Sequence, residues 1–234
     1  MKYDNIYIWG DSHGDYYPLA SFLRHNMLEN SLLIHVGDWG RGFQLRNVAK
    51  GYLEDINEDL VKKNSEIFVI RGNHDIPTDF DGRQEGKITF LKDYTFMDIN
   101  DERFGFIGGA TSIDRYFRRE GHNYWKDEVF SFDEDKCEAC DVLILHTAPI
   151  ECPPIDSISH LRKVVQNFTP MGIKDKDIDS LTNDLREERV DASKAVAICK
   201  PKYIYYGHFH FSETLQLSNY HATLLNIDEC AKHL

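Results

Sequence analysis

Residues 5–13 read Asn5-Ile6-Tyr7-Ile8-Trp9-Gly10-Asp11-Ser12-His13: four apolar β-formers, a glycine, then a carboxylate and an imidazole two positions apart. The apolar run has the length and composition of a buried strand, and the break at Gly10 marks its end. In layered folds of strands and helices, ligands gather beyond the carboxyl ends of the strands. The same pattern recurs along the chain. Leu32–Val36 leads through Gly37 to Asp38, and Ile67–Ile70 leads through Arg71-Gly72 to Asn73-His74. Val142–Leu145 runs straight into His146, and Tyr203–Tyr206 passes through Gly207 to His208-Phe209-His210. A sixth run, Phe104–Ala110, brings no such residue. Five strand ends presenting metal-type side chains in the same relative place are hard to explain by core packing.

The intervening segments are helical in pattern. Leu19, Phe22, Leu23 and Met27 share one face of a helix expected near Tyr17–Leu28. Leu45, Val48, Tyr52, Ile56 and Leu60 do the same over Phe43–Lys63. Ile88–Gly108 alternates and is punctuated by turns, which predicts an antiparallel meander turning at Asn100–Glu102. Ser131 with Glu134 reads as a capping box for a short helix toward Cys140. Asp191 is expected to cap a helix through Cys199, stopped by Pro201, and a last strand is expected at Thr223–Ile227. Strand–helix alternation followed by a meander predicts a layered α/β (α+β) fold with mixed sheets. Residues 1–234 are expected to form one domain, with the polar helical stretch at about 151–190 as an insertion placed to act as a lid.

The 27 basic and 39 acidic residues leave a net charge of −12. That disfavours tight nonspecific binding of duplex nucleic acid, without excluding a local basic groove. No apolar run approaches the ~18 residues of a membrane span. The amino-terminal sequence lacks the features of a secretory signal, and the five cysteines are an odd number, so a reducing cytoplasm is expected. Cys137-Glu138-Ala139-Cys140 has no second pair at zinc spacing and reads as ordinary thiols. Asp175-Lys176-Asp177-Ile178-Asp179 lacks the glycine and the final glutamate of a calcium loop, and reads as an acidic helix start.

Asp11 with His13, and His208 with His210, use a two-residue spacing that puts both side chains on one side of an extended segment. Asp38 can bridge two cations, Asn73 offers a neutral oxygen, and His146 offers a ring nitrogen. The division expected from these donors puts Asp11, His13, Asp38 and His210 on one divalent ion and Asp38, Asn73, His146 and His208 on another. Nitrogen and oxygen donors without thiolate suit manganese first, with iron, zinc or nickel as alternatives. Two such ions can hold a bridging hydroxide as nucleophile and clamp the phosphoryl oxygens. His74 is not needed as a ligand. It is expected to stabilise the transition state or protonate the leaving group, with Asp75 as the carboxylate that orients it. Arg41, then Arg115, are the expected substrate clamps, and Arg118-Arg119 reads as a solvated face.

Taken together, Gly-Asp-Ser-His at 10–13, Gly-Asp at 37–38, Gly-Asn-His at 72–74, His146 and Gly-His-Phe-His at 207–210 resemble the calcineurin-like metallophosphoesterase family. The motifs span residues 10 to 210 in the family's order. The resemblance implies two mixed sheets packed as a sandwich and flanked by helices, a dinuclear centre, and hydrolysis of phosphate esters on a small molecule or a protein. The sequence departs from the family's protein phosphatases. Gly37-Asp38-Trp39-Gly40-Arg41-Gly42 lacks their second aspartate and is one residue shorter, and Asp75 stands where they carry glutamate. The rival functions are a nuclease or cyclic-nucleotide phosphodiesterase, and a non-catalytic protein-binding scaffold. The scaffold is disfavoured because every ligand position is retained.

Overall fold

The computed structural model describes residues 1–42, 47–155 and 157–233. Phe43 and Leu45, expected to open the second helix, lie outside the described residues. In chain order the elements are β1 (Asn5–Trp9), α1 (Tyr17–His25), β2 (Ser31–His35), α2 (Asn47–Lys62), β3 (Glu66–Val69), β4 (Gln84–Glu85), β5 (Ile88–Phe90) and β6 (Thr95–Ile99). They continue with β7 (Glu102–Ile107), β8 (Val142–Leu145), α3 (Ile158–Asn167), α4 (Asp175–Cys199), β9 (Tyr203–Tyr206), β10 (Glu213–Gln216), β11 (His221–Leu224) and β12 (Cys230–His233).

The strands form two six-stranded sheets, ordered β12-β1-β2-β3-β5-β4 and β10-β11-β9-β8-β7-β6. Their central pairs are parallel and their edge pairs antiparallel, so both sheets are mixed. Side-chain alternation explains the layering. Ile6 and Ile8 of β1, with Leu32, Ile34 and Phe68, meet Phe104, Phe106, Val142, Ile144 and Tyr205 of the other sheet in a shared core. The opposite face of the first sheet, through Tyr7, Trp9, Leu33, Ile67 and Val69, packs with Leu19 and Leu23 of α1 and Ile56 and Leu60 of α2. The outer face of the second sheet, Leu143, Leu145, Ile204 and Tyr206, lies with Ala192, Ala195, Val196 and Cys199 of α4. Strands covered on both faces are apolar throughout, which is why the site-bearing strands read as unbroken hydrophobic runs. Truncating a side chain such as Ile8, fully buried between the sheets, to alanine costs roughly 2–5 kcal/mol.

Several local expectations are corrected. α4 is one helix of 25 residues, so Asp191 caps nothing and instead pairs with Lys194 at 2.7 Å. Apolar residues at Ile178, Leu181, Leu185, Ala192, Val196 and Cys199 keep helical spacing through that point, and packing on them outweighs a local cap signal. Its start carries Asp175 and Asp177, and it ends at Lys200 in left-handed geometry before Pro201. No helix follows Ser131; only a 3-10 turn at Glu134–Lys136 forms, and Cys140 N–H donates to the Cys199 carbonyl instead. The expected meander is split. β5 joins the first sheet beside β3, and only β6 and β7 make a hairpin, turning at Asn100 and Asp101. The expected last strand is β11, and two further strands, β10 and β12, extend the two sheets at their edges. Among the described residues no helix is long and apolar enough to cross a membrane.

Candidate metal centre

Parallel neighbours in a sheet end side by side, so the loops after β1, β2 and β3 meet at one rim of the first sheet. The loops after β8 and β9 meet them from the second. The Ser12 and His13 N–H groups donate to the Asp38 carbonyl at 3.2 and 2.8 Å, tying the first two loops together. Across the seam, His208 N–H donates to Asp11 Oδ2 at 2.9 Å, and within the first rim His74 N–H donates to Asp38 Oδ1 at 2.8 Å. His13, Asp38, His208 and His210 all adopt positive φ, between 48° and 73°. That conformation is uncommon outside glycine, with aspartate and histidine among its more tolerant occupants. Glycine is required at 72 and 207 by close approach: a Cβ there would collide with the Asp38 and Asp11 carboxylates respectively.

The side chains form two groups whose donor atoms lie within 4.8 Å of one another: Asp11, His13, Asp38 and His210, and Asp38, His146 and His208. His210 Nε2 is 3.4 Å from Asp11 Oδ2, and His13 Nδ1 is 3.8 Å from Asp38 Oδ2. His146 Nε2 is 3.4 Å from Asp38 Oδ1 and 3.1 Å from Asn73 Oδ1, which adds Asn73 to the second group. Asp38 belongs to both. All seven residues expected as ligands are therefore brought together.

The electrostatics of this cluster call for positive charge. Asp11 and Asp38 are buried, and Asp11 Oδ1 and Asp38 Oδ2 have no hydrogen-bond partner among the described residues. A buried carboxylate oxygen left so is costly unless a cation meets it. Burial pushes the Asp38 carboxyl up, but His146, His74 and His13 around it pull it well below the usual carboxylate range. Burial lowers His146, yet the Asp38 and Asp11 carboxylates overcome it and raise its imidazole to about 9. Burial, reinforced by His146, drives His208 well down. Hydrogen bonding to Asp11 raises His210. His146 Nδ1 sits 2.8 Å from the Val36 carbonyl oxygen. That acceptor keeps a proton on Nδ1, so the proton a cation would displace is the one on Nε2, the nitrogen facing Asp38 and Asn73. A nitrogen and oxygen donor set, two orphaned carboxylate oxygens and a pinned histidine tautomer fit divalent cations.

The remaining expected site residues fall differently. His74 lines the cavity beside the cluster, with Nε2 3.9 Å from Asp38 Oδ2. Asp75 does not face it. Its two oxygens accept from the N–H groups of Trp39, Gly40, Arg41 and Gly72 at 2.8–3.1 Å, and the charged neighbours of the imidazole are Asp38, Arg118, His13 and Asp114. Asp75 thus fastens the loop after β2 to the loop after β3, a positioning role. Arg118, read from sequence as a solvated side chain, is the guanidinium against His74. Its NH1 is 3.0 Å from Nδ1 and its NH2 2.8 Å from Nε2, and Asp114 holds its Nε at 2.7 Å. Burial first, then the opposing pulls of Asp38 upward and Arg118 downward, leave the His74 imidazole at about 4.

Neither expected clamp reaches the cavity. Arg41 donates to Asp79 and to both oxygens of Glu85 at 2.9–3.1 Å and lies over the Phe90 ring. Arg115 donates to Asp184 at 2.7 Å. Each has nearer carboxylates, and each is drawn to them. Arg71 is likewise structural, paired with Asp93 and donating to the carbonyls of residues 127–129.

Ser112 carried no sequence signal for the site. Ser112 Oγ accepts from Asn73 Nδ2 at 3.0 Å, which points Asn73 Oδ1 at His146. Glu128 accepts from Ser112 N–H at 3.0 Å and so holds Ser112 in place. Burial pushes the Glu128 carboxyl up to about 7.

A sequence model of the calcineurin-like phosphoesterase family matches residues 5–212. Shewanella-like protein phosphatase 1 of Plasmodium berghei (strain Anka) is 35% identical over a stretch covering 32% of this chain and 25% of that protein. Two solved structures align over nearly the whole chain. A Staphylococcus aureus protein described as a 5'-nucleotidase, solved with α-ketoglutarate, aligns over 96% of this chain and 49% of its own, with a TM-score of 0.48 and 13% identity. The phosphopantetheinyl hydrolase of Mycobacterium tuberculosis aligns over 95% of this chain and 90% of its own, with a TM-score of 0.41 and 12% identity. The chain thus spans a quarter of the Plasmodium phosphatase and about half of the Staphylococcus protein. With a family model running from β1 past His210, the chain belongs to the calcineurin-like phosphoesterases.

Proposed function

We propose that this chain is a dinuclear metal-dependent phosphoesterase acting on phosphorylated substrates. Asp11, His13, Asp38 and His210 would hold one divalent cation, and Asp38, Asn73, His146 and His208 the other, with manganese expected first. When bound, such a pair supplies Lewis acidity toward phosphoryl oxygens and depresses the pKa of water toward neutrality, giving a nucleophile without a side-chain attack. The observation that carries this reading is the pair of buried, unpartnered carboxylate oxygens on Asp11 and Asp38 among imidazole nitrogens.

The chain's own residues do the rest. Arg118 faces the cavity beside His74 and offers a planar set of donors for non-bridging phosphoryl oxygens. His74 lies at the same mouth and is assigned a hydrogen bond to the oxygen that gains charge as the ester breaks. Asp75 and Ser112 hold the loops and Asn73 in register. The five free thiols support a reducing, cytoplasmic setting.

Elemental analysis of the purified protein, followed by a panel of phosphate mono- and diesters with each recovered metal, tests the reading. About two ions per chain and turnover on at least one ester class are expected. Full metal occupancy without turnover on any ester would point to a scaffold instead. His74→Ala separates binding from chemistry: it should retain both ions and lose roughly 10²–10⁴ in rate.

A further inference from the structure

The cavity at the metal cluster, about 610 Å³ in volume, has two unlike walls. One is the polar cluster itself, with Asp38, Asn73, His74 and His208. The other is built largely from the helical segment, with Leu161, Val164 and Phe168 of α3 and its end, Leu185 of α4, and Ile113 facing them. Leu161, Val164 and Phe168 are spaced i, i+3, i+7 and share one side of the helix. α3 already has a packing face, because Val165 is buried against Ile178, Leu181 and Leu185 of α4. Leu161 packs partly on that same cluster, which leaves Val164 and Phe168 as the residues of the second stripe outside it.

Apart from Thr147 Oγ1, which has no hydrogen-bond partner among the described residues, the polar groups on that wall are engaged inside the protein. Asp114 pairs with Arg118. Glu188 accepts from Thr111 Oγ1 at 2.6 Å. Arg189 donates to the carbonyls of Ala148, Pro149, Cys152 and Pro154 at 2.6–3.3 Å. Beyond that one hydroxyl, what remains to meet a ligand is hydrocarbon. A cavity of this size suits a small organic molecule, and a stripe of leucine, valine and phenylalanine is favoured there only by something that displaces water from it.

Resting on the phosphoesterase reading, we infer that the substrate is a phosphate ester whose organic part is a hydrocarbon group, seated on α3 while the phosphoryl group lies at Arg118 and the metal cluster. The 151–190 segment is then the element that selects substrate, and polyol and sugar phosphates are poor ligands because most of their hydroxyls would face the side chains of Leu161, Val164 and Phe168.

The test uses manganese-loaded protein and n-alkyl phosphonates from methyl to octyl, which bind without being hydrolysed. Alkyl phosphate monoesters of the same lengths are assayed in parallel for phosphate release. Each methylene that becomes buried should tighten binding about fourfold, over at least the first three or four added carbons. Val164→Asp should flatten that dependence, read as the ratio of octyl to methyl affinity. If this variant fails to fold, Phe168→Ser, at a half-exposed position, should reduce the same ratio. Affinity independent of chain length, or an unchanged ratio in a folded variant, overturns the inference. Turnover on the esters with a flat length dependence leaves the phosphoesterase standing and removes only the hydrocarbon site. A steep length dependence of phosphonate binding without turnover on any ester does the reverse.

Discussion

Ser112→Ala removes a single oxygen from a fully buried position, and its consequences can be worked through from neighbouring distances. That oxygen accepts the Asn73 Nδ2–H at 3.0 Å, while Asn73 Oδ1 lies 3.1 Å from His146 Nε2. Without it a buried amide N–H loses its acceptor, at about 1–3 kcal/mol. In a chain of this size 1 kcal/mol moves the melting temperature by about 2–4 °C. The metal-free variant should therefore melt roughly 2–12 °C lower. A second effect is separable. The amide is no longer held with its oxygen toward His146, and losing an outer partner of a ligand costs about 10–100-fold in metal affinity, or ~1.4–2.7 kcal/mol. That loss should fall on the cation proposed at Asp38, Asn73, His146 and His208 and spare the one proposed at Asp11, His13, Asp38 and His210. Chelator competition in buffered manganese resolves the two affinities. At a concentration where the wild type carries two ions, the variant should carry close to one. Equal weakening of both sites, or wild-type loading with wild-type melting, would refute the reasoning.

Three further outcomes follow from the same structure. Arg118→Ala should lower kcat/KM for a phosphate ester by roughly 10–150-fold, the range of a hydrogen bond to a charged group. Arg41→Ala, which breaks the contacts to Asp79 and Glu85, should lower the melting temperature with little kinetic effect; steady-state assays giving the reverse order would restore Arg41 as the clamp. Glu128 titrates at about 7 in the fold because burial penalises its charged form, against about 4.3–4.5 unfolded. The folded state thus holds an extra proton between those values, and stability falls as pH rises through that window, by up to about 3 kcal/mol. Glu128→Gln lacks this titration, so urea unfolding at pH 4.5 and 7.5 should show the variant gaining on the wild type at the higher pH; parallel curves would exclude the effect.

The candidate metal cluster was legible because its strands are apolar on both faces and stop abruptly before a donor residue, at a glycine in every case but His146. The rim where those ends converge follows from parallel pairing, which the strand–helix alternation announces. What surrounds the cluster was not legible. Residues 108–128 have no hydrophobic period, so nothing in their order says that Ser112 meets Asn73 or that Arg118 meets His74. Asp75 was misassigned because adjacency in sequence is not adjacency of side chains: consecutive residues in a turn point apart, and its carboxylate found four N–H groups across the loop. Arg41 was misassigned because the short β4–β5 hairpin that supplies Glu85 gives almost no pattern over its two-residue first strand. At Asp191 a plausible cap lost to continuous helical spacing, a contest that only the packing on β8 and β9 decides.

The left-handed backbone at positions 13, 38, 208 and 210 also narrows the alphabet from which this centre could be rebuilt. A β-branched or long side chain in that conformation adds on the order of 1–3 kcal/mol of strain per position, before any change in how it binds an ion. A single exchange to the longer glutamate, one route toward a different metal preference, would start with that handicap at four of the seven proposed ligand positions. The path of the main chain therefore conserves the chemical character of the site independently of what the reaction itself demands.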